Sequence, residues 1–310
     1  MIGPQPPVIR TQRLTKFYGR SRGIVEVDLE VHAGEIFGFL GPNGAGKSTT
    51  IRLLLDLIRP TSGSATVLGL DAHRDRLAID RRVSYLPGEL ALYGDLTGGQ
   101  TLEYLGNLRG QPDRAFRAEL VARFDLDPSK RIKTLSRGNK QKVGLVAAFQ
   151  DRPELLILDE PTGGLDPFVQ LEFEGLADAV RRDGRTVFVS SHILPEVERL
   201  CDRVGIIREG RLVAVESIAS LKERAVQQLE IEFAAPVEPG GFAGSPNVRD
   251  LSIEGSVLRC VVVGSVDALV KRAAAHDVRR IRSVETSLEE IFLAYYGAGD
   301  DGAKGSGDAA

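Results

Sequence analysis

The chain reads as an α/β protein built on a parallel sheet, followed by a smaller α+β unit, and three observations carry that reading. Apolar runs at residues 36–40, 155–158 and 186–190 are continuous rather than alternating, the pattern of strands buried on both faces. Amphipathic stretches separate such runs from residue 8 to about 217, as a layered α/β architecture requires. Past Leu221 the pattern turns to alternation, in residues 229–233 and 257–261, which suits half-exposed strands.

Composition narrows the classes. A length of 310 residues leaves room for about two domains. The 42% apolar and 27% charged content are those of an ordinary globular protein. A net charge of -3 gives no electrostatic case for nucleic acid. No stretch approaches the roughly 20 apolar residues that cross a bilayer. Residues 1–13 have no apolar core of the kind a secretory signal needs. Cys201 and Cys260 make no disulfide framework, and are expected as reduced core thiols in a cytosolic protein. The four histidines have no metal-ligand spacing with them, so no structural zinc is expected.

The first continuous run, Ile36-Phe37-Gly38-Phe39-Leu40, leads into Gly41-Pro42-Asn43-Gly44-Ala45-Gly46-Lys47-Ser48. This fits Gly-x-x-x-x-Gly-Lys-Ser/Thr, a loop whose backbone N–H groups curl round a triphosphate. Lys47 is placed to reach the terminal phosphates and Ser48 to ligate Mg²⁺. From Thr49 to Ile58 a helix is expected, with Leu53, Leu54 and Leu57 on its apolar face and Pro60 as its stop. Its N-terminus turns free N–H groups and a positive dipole end toward the phosphates. A chance glycine turn would lack this strand-loop-helix setting.

From about Asp95 to Lys133 the chain is polar and helical in pattern, and an inserted helical subdomain is set at about residues 95–150. The run at 155–158 then ends in Asp159-Glu160. At the C-terminal edge of a parallel sheet, where such sheets bind ligands, Asp159 would help hold Mg²⁺ through a water. Glu160 is placed to orient and deprotonate a water aimed at the γ-phosphate. Residues 204–207 and 211–214 read as a hairpin around Glu209-Gly210. Beyond lie a Pro/Gly-rich loop at 236–246, a helix at 266–275 and a strand at 278–284. A last helix opens on a capping box from Ser287 to Glu290. No internal repeat is present. The expected domains are 8–220, 221–296, and a disordered Gly/Asp/Ala tail over 297–310.

The ordered series of motifs resembles the ATP-binding subunit of ABC transporters over about residues 8 to 217. Leu135-Ser136-Arg137-Gly138-Asn139 stands where that family has its Leu-Ser-Gly-Gly-Gln signature. Gly163-Gly164-Leu165-Asp166 is similar to its D-loop, and His192 in Ser190-Ser191-His192 to its switch histidine. Tyr18 matches the aromatic that stacks on adenine. The resemblance implies a P-loop ATPase that uses ATP and Mg²⁺. It implies a homodimer in which Ser136 and Gly138 of one copy bind the γ-phosphate held by the other, with Asp166 communicating across it. His192 is implied at the γ-phosphate and the attacking water.

Two departures stand out. Gly88 occupies the position of a glutamine that ligates Mg²⁺ in the family, with Glu89 beside it as a candidate substitute. Arg137 and Asn139 replace the signature's glycine and glutamine, while Ser136 and Gly138 are retained. Residues 85–93, 136–142 and 287–296 are similar to bacterial drug-exporter and antibiotic-resistance ATPase subunits. That implies a separate integral membrane permease, contacted by residues 88–135, with this chain at the cytoplasmic side of the membrane and no nucleic acid partner. An ATPase acting on ribosomes or DNA usually carries two halves or a long coiled coil, and this chain shows neither. A non-hydrolysing ATP binder is suggested only by Gly88. A GTPase is disfavoured because Asn139-Lys140-Gln141-Lys142 lacks the guanine-reading aspartate.

Overall fold

The structure is a computed structural model that describes residues 6–285 apart from 111–112, 224–225, 243, 245–246 and 264. The expected final helix and the 297–310 tail lie outside the described residues. The chain divides into two compact units between Val215 and Glu216.

In the first unit the continuous apolar runs form the centre of a six-stranded sheet. Its order is Arg211–Ser217, Arg203–Arg208, Ile36–Leu40, Thr186–Ser191, Leu155–Asp159 and Val83–Leu86. Ile36–Leu40 is parallel to both its neighbours, Arg203–Arg208 and Thr186–Ser191. Thr186–Ser191 is in turn parallel to Leu155–Asp159, and that strand to Val83–Leu86. Every residue of Ile36–Leu40, Leu155–Asp159 and Thr186–Ser191 is buried. Phe37 and Phe39 lie against Phe188 of the next strand, with ring centroids 5.9 and 5.5 Å apart, a spacing at which aromatic pairs add to simple burial.

Because the central strands are parallel, the loops after Leu40, Asp159 and Ser191 all leave at one edge. That shared edge is what brings residues 41–48, 159–160 and 192 together.

A second, mostly polar sheet surrounds Ile9–Tyr18, which pairs antiparallel with Ser21–Val27, Glu30–Val31 and Ser62–Val67. The tight turn between Tyr18 and Ser21 holds Tyr18 at its corner. The helical segment comprises Gly98–Arg109, Arg114–Arg123 and Arg137–Phe149. Thr97 and Gln100 form a reciprocal capping box at the first of these.

The helix after the phosphate loop differs from expectation. It runs Lys47–Leu54 rather than to Ile58, because Asp56 adopts a left-handed φ of 52° well before Pro60. The hairpin is found as Arg203–Arg208 and Arg211–Ser217, with Glu209 and Gly210 at φ 48° and 71°, the two positive values a right-twisted two-residue turn requires.

The second unit holds a four-stranded sheet of order Val248–Glu254, Val257–Val263, Val226–Phe233, Val278–Glu285. The helix Asp267–Ala273 contributes Leu269 and Ala273 to its core, beside Ile231, Phe233 and Leu258. Cys201 and Cys260 are buried and free, and burial pushes both thiols up, with Asp202 and Glu35 adding to the effect at Cys201. Among the described residues no helix is long and apolar enough to cross a membrane.

Candidate active site

The loop 41–48 closes on itself through Ala45 N–H, which donates to the Pro42 carbonyl at 3.1 Å. It is tied to the neighbouring strand end by Gly41 N–H, which donates to Ser191 O at 3.3 Å. Gly44 and Gly46 take φ of 78° and 112°. Only glycine adopts the second value without strain, and a Cβ there would come within 2.7 Å of Ile24. These two turns swing successive N–H groups to one side ahead of the helix Lys47–Leu54, the arrangement that receives an anion. Lys47 is buried, with its ammonium donating to the carbonyls of Gly41 at 2.7 Å and Pro42 at 3.2 Å. A cleft of about 200 Å³ opens over the loop, lined by Tyr18, Arg22, Asn43, Lys47, Ser48 and Glu160 among others.

The carboxylate pair closes the other side of that cleft. Asp159 ends its strand buried and accepts from Ser190 Oγ at 2.5 Å. Glu160 leaves the strand at φ 50°, a left-handed value uncommon for a residue with a side chain and concentrated at functional sites. That conformation is held by Glu160 N–H, which reaches Ser190 O at 3.2 Å and Ser190 Oγ at 3.1 Å. Glu160 Oε1 then lies 3.4 Å from Lys47 Nζ and 3.2 Å from His192 Nδ1. The base, the lysine and the histidine expected from sequence therefore meet at one carboxylate oxygen.

Gly88 lies against the same centre. A Cβ on it would stand 3.6 Å from Asp159 Oδ2, so this position adjoins the Asp159 carboxylate and offers it no side chain. Glu89 is exposed one residue further on. Tyr85 sits close enough that burial, and then the negative charge of Asp159, raises its phenol above the ordinary value and keeps it neutral.

At the signature, Ser136 is the N-cap of Arg137–Phe149 and its Oγ accepts from Asn139 N–H at 3.3 Å. The helix starts at Arg137, inside the signature itself. Gly138 packs so closely that a Cβ would lie 2.8 Å from the Gly164 carbonyl, and Arg137 rests along Gly164. Asp166 caps the helix Pro167–Arg182, accepting from Val169 N–H at 3.0 Å. Ser136, Gly138 and Asp166 thus form a second surface, absent from the lining of the cleft over Lys47. Gly138→Ala is expected to displace the 163–166 loop at a cost of about 1–3 kcal/mol by overpacking. Any pairing of two copies through this surface should weaken more than nucleotide affinity, measured by sedimentation alongside direct nucleotide titration.

The sequence reading missed two residues here. Arg22 lines the cleft beside Tyr18 and pairs with Glu209 at 3.4 Å, bringing a cation that no motif announces. Gln141, buried, donates to the Pro161 carbonyl at 2.9 Å and fastens the signature helix to the segment after Glu160.

A glycine cradle with a buried lysine, opposite a strand-end carboxylate pair on a parallel sheet, defines a P-loop nucleotide-binding protein. A family model described as ABC transporter matches residues 24–163. The chain is 34% identical over 303 residues to the bacitracin transport ATP-binding protein BcrA of Bacillus licheniformis, covering 95% of this chain and 99% of that one. It is 37% identical over 310 residues to the daunorubicin/doxorubicin resistance ATP-binding protein DrrA of Streptomyces peucetius, covering 93% and 92%. The solved structure of an ATP-binding subunit of an ABC transporter superposes with a TM-score of 0.65 at 30% identity, over 69% of this chain and 92% of that one. A dimeric, post-hydrolysis ATP-binding cassette, MJ0796 with ADP and phosphate, shares the fold with a TM-score of 0.62 at 22% identity, over 68% and 98%. The chain belongs to the ABC transporter ATP-binding proteins, and it is an ABC-type ATPase.

Proposed function

We propose that this chain hydrolyses ATP to drive export through a separate membrane permease, at whose cytoplasmic face it docks. Its cargo is proposed to be an amphipathic small molecule of the kind the bacitracin and daunorubicin/doxorubicin relatives are named for. The observation that carries hydrolysis is the meeting of Lys47, His192 and Glu160 at one carboxylate oxygen above the phosphate loop. We assign residues 8–220 to this ATP-binding role and residues 221–296 to an accessory domain.

ATP is taken by the N–H groups of residues 41–48, with Lys47 on its terminal phosphates and the adenine on Tyr18. Tyr18 is 46% exposed with its ring edge over Gly23, and Lys16 Nζ lies 5.4 Å from the ring centre, so one face stays open to a base. Tyr18→Ala should therefore weaken ATP binding by about 1–3 kcal/mol, the worth of one stacked base, and leave kcat nearly unchanged. Steady-state kinetics resolves the two.

The Ser48 hydroxyl and the Asp159 carboxylate fit a hard, oxygen-loving cation, and are proposed to hold Mg²⁺ without a ligand from residue 88. That ion supplies neutralisation of phosphate charge. Glu160 accepts the proton of the attacking water and His192 holds the γ-phosphate side of the site, so catalysis is positioning plus electrostatics. The surface formed by Ser136 and Gly138 is proposed to cover the γ-phosphate bound to a second copy of this chain. ATP then binds the closed pair with more contacts than the open one, and this difference drives closure.

The membrane partner is proposed to seat in a groove of about 580 Å³ between the sheet edge and the helical segment. Leu57, Leu77 and Leu108 are 48%, 77% and 66% exposed around it, an apolar rim unusual for a solvated face. Part of the contact is proposed to fall on Leu55, Leu57 and Leu77, upstream of the 88–135 segment read from sequence. Leu77→Asp should abolish export in cells while the purified chain keeps its basal ATPase. Loss of both would point to a folding defect instead.

A further inference from the structure

Glu196 is a carboxylate on the first turn of the helix Leu194–Leu200, 9% exposed, that no step above uses. Its Oε2 accepts two hydroxyl hydrogen bonds at once. One comes from Thr162 Oγ1 at 3.0 Å and the other from Ser191 Oγ at 2.9 Å. A carboxylate withdrawn from water to this degree is tolerated only when such donors replace the solvent.

The two donors belong to the two loops that meet at the reacting centre. Thr162 lies two residues after Glu160, and Ser191 immediately precedes His192. Ser191 Oγ also accepts from Ile193 N–H at 3.0 Å, so one hydroxyl bridges the backbone on either side of His192 while donating to Glu196. His192 itself is 44% exposed at its side chain, where it pairs with Glu160. Its place therefore depends on its backbone, and its backbone depends on Ser191. On the other loop, Pro161 is already held by Gln141, and Thr162 is the next residue along.

From this geometry we propose that Glu196 is a positioning residue for ATP hydrolysis: it clamps the loop carrying Glu160 to the loop carrying His192 and so sets their 3.2 Å approach. The proposal rests on the reading of Glu160 and His192 given above. It distinguishes Glu196 from a residue that binds nucleotide, because the carboxylate touches the loops and lies outside the lining of the cleft. Glutamine at 196 keeps an oxygen able to accept both hydroxyls, so shape and one acceptor suffice for much of the effect.

The test compares kcat and ATP affinity in Glu196→Ala, Glu196→Gln and His192→Ala, alone and combined. Glu196→Ala is expected to lower kcat about tenfold or more with ATP affinity within about twofold, and Glu196→Gln to recover most of the rate. In the His192→Ala background the Glu196→Ala change should add less than about twofold, since a residue acting through another is not additive with it. Unchanged kcat in Glu196→Ala, an equal loss of affinity, or full additivity would each overturn the clamp. Thr162→Val and Ser191→Ala remove one donor apiece and should each reproduce part of the kcat loss, which keeps the proposal decidable should Glu196→Ala fail to fold. Glu160→Gln run in parallel separates the failures. Lost turnover there with unchanged turnover in Glu196→Ala sinks the clamp alone, whereas wild-type turnover in Glu160→Gln sinks the reading of the site.

Discussion

Glu160→Gln should leave ATP bound and stop its hydrolysis. The substitution keeps the side chain's size and its place between Lys47 and His192, and removes the carboxylate proposed to take a proton from water. A positioned general base contributes about 10²- to 10⁴-fold, so kcat in a phosphate-release assay should fall within that range. ATP affinity should hold or rise slightly, because the negative charge of Glu160 no longer faces the γ-phosphate. Turnover at the wild-type rate would mean that the φ of 50° at Glu160 serves the turn and not the chemistry.

Lys47→Ala should fail earlier, at binding. The ammonium is almost wholly buried under the loop, held by the Gly41 and Pro42 carbonyls and facing Glu160. A hydrogen bond to a charged group is worth about 1.5–3 kcal/mol, and this lysine is proposed to give at least one to a terminal phosphate. ATP affinity should therefore drop about 10- to 100-fold, with a smaller loss for ADP, which lacks the γ-phosphate. Titration of both nucleotides against the variant measures this directly. The contrast between the variants is the useful part: one separates hydrolysis from binding, and the other removes binding first.

The ATP-binding core was legible because its requirements are local. A loop that turns its N–H groups inward needs glycine where φ is positive, and Gly44 and Gly46 stand at those positions. Buried parallel strands need continuous apolar runs, and three such runs became the middle of the sheet. Their parallel alignment brings the loop and the carboxylates to one edge without any sequence proximity.

What escaped the sequence depends on long-range contact or on local exceptions. The strand Val248–Glu254 was missed because Asp250, at φ 50°, breaks its pairing register and its alternation. The helix Lys47–Leu54 ended early because Asp56 turned left-handed where the pattern of leucines continued. Glu196 reads as one more acidic residue near a helix start until Thr162 and Ser191 are seen to converge on it from two different strand ends. Arg22 lies in no motif, and only the turn after Tyr18 brings it to the cleft.

Each cleft over Lys47 is proposed to be half of a site, completed by Ser136 and Gly138 of a second copy. Sedimentation of the Glu160→Gln chain in Mg²⁺ tests it most directly. The expected result is a shift from monomer to dimer with ATP, no shift with ADP, and no shift with ATP once Gly138→Ala is added. A chain that stays monomeric while saturated with ATP, or that pairs equally well with either nucleotide, would contradict it.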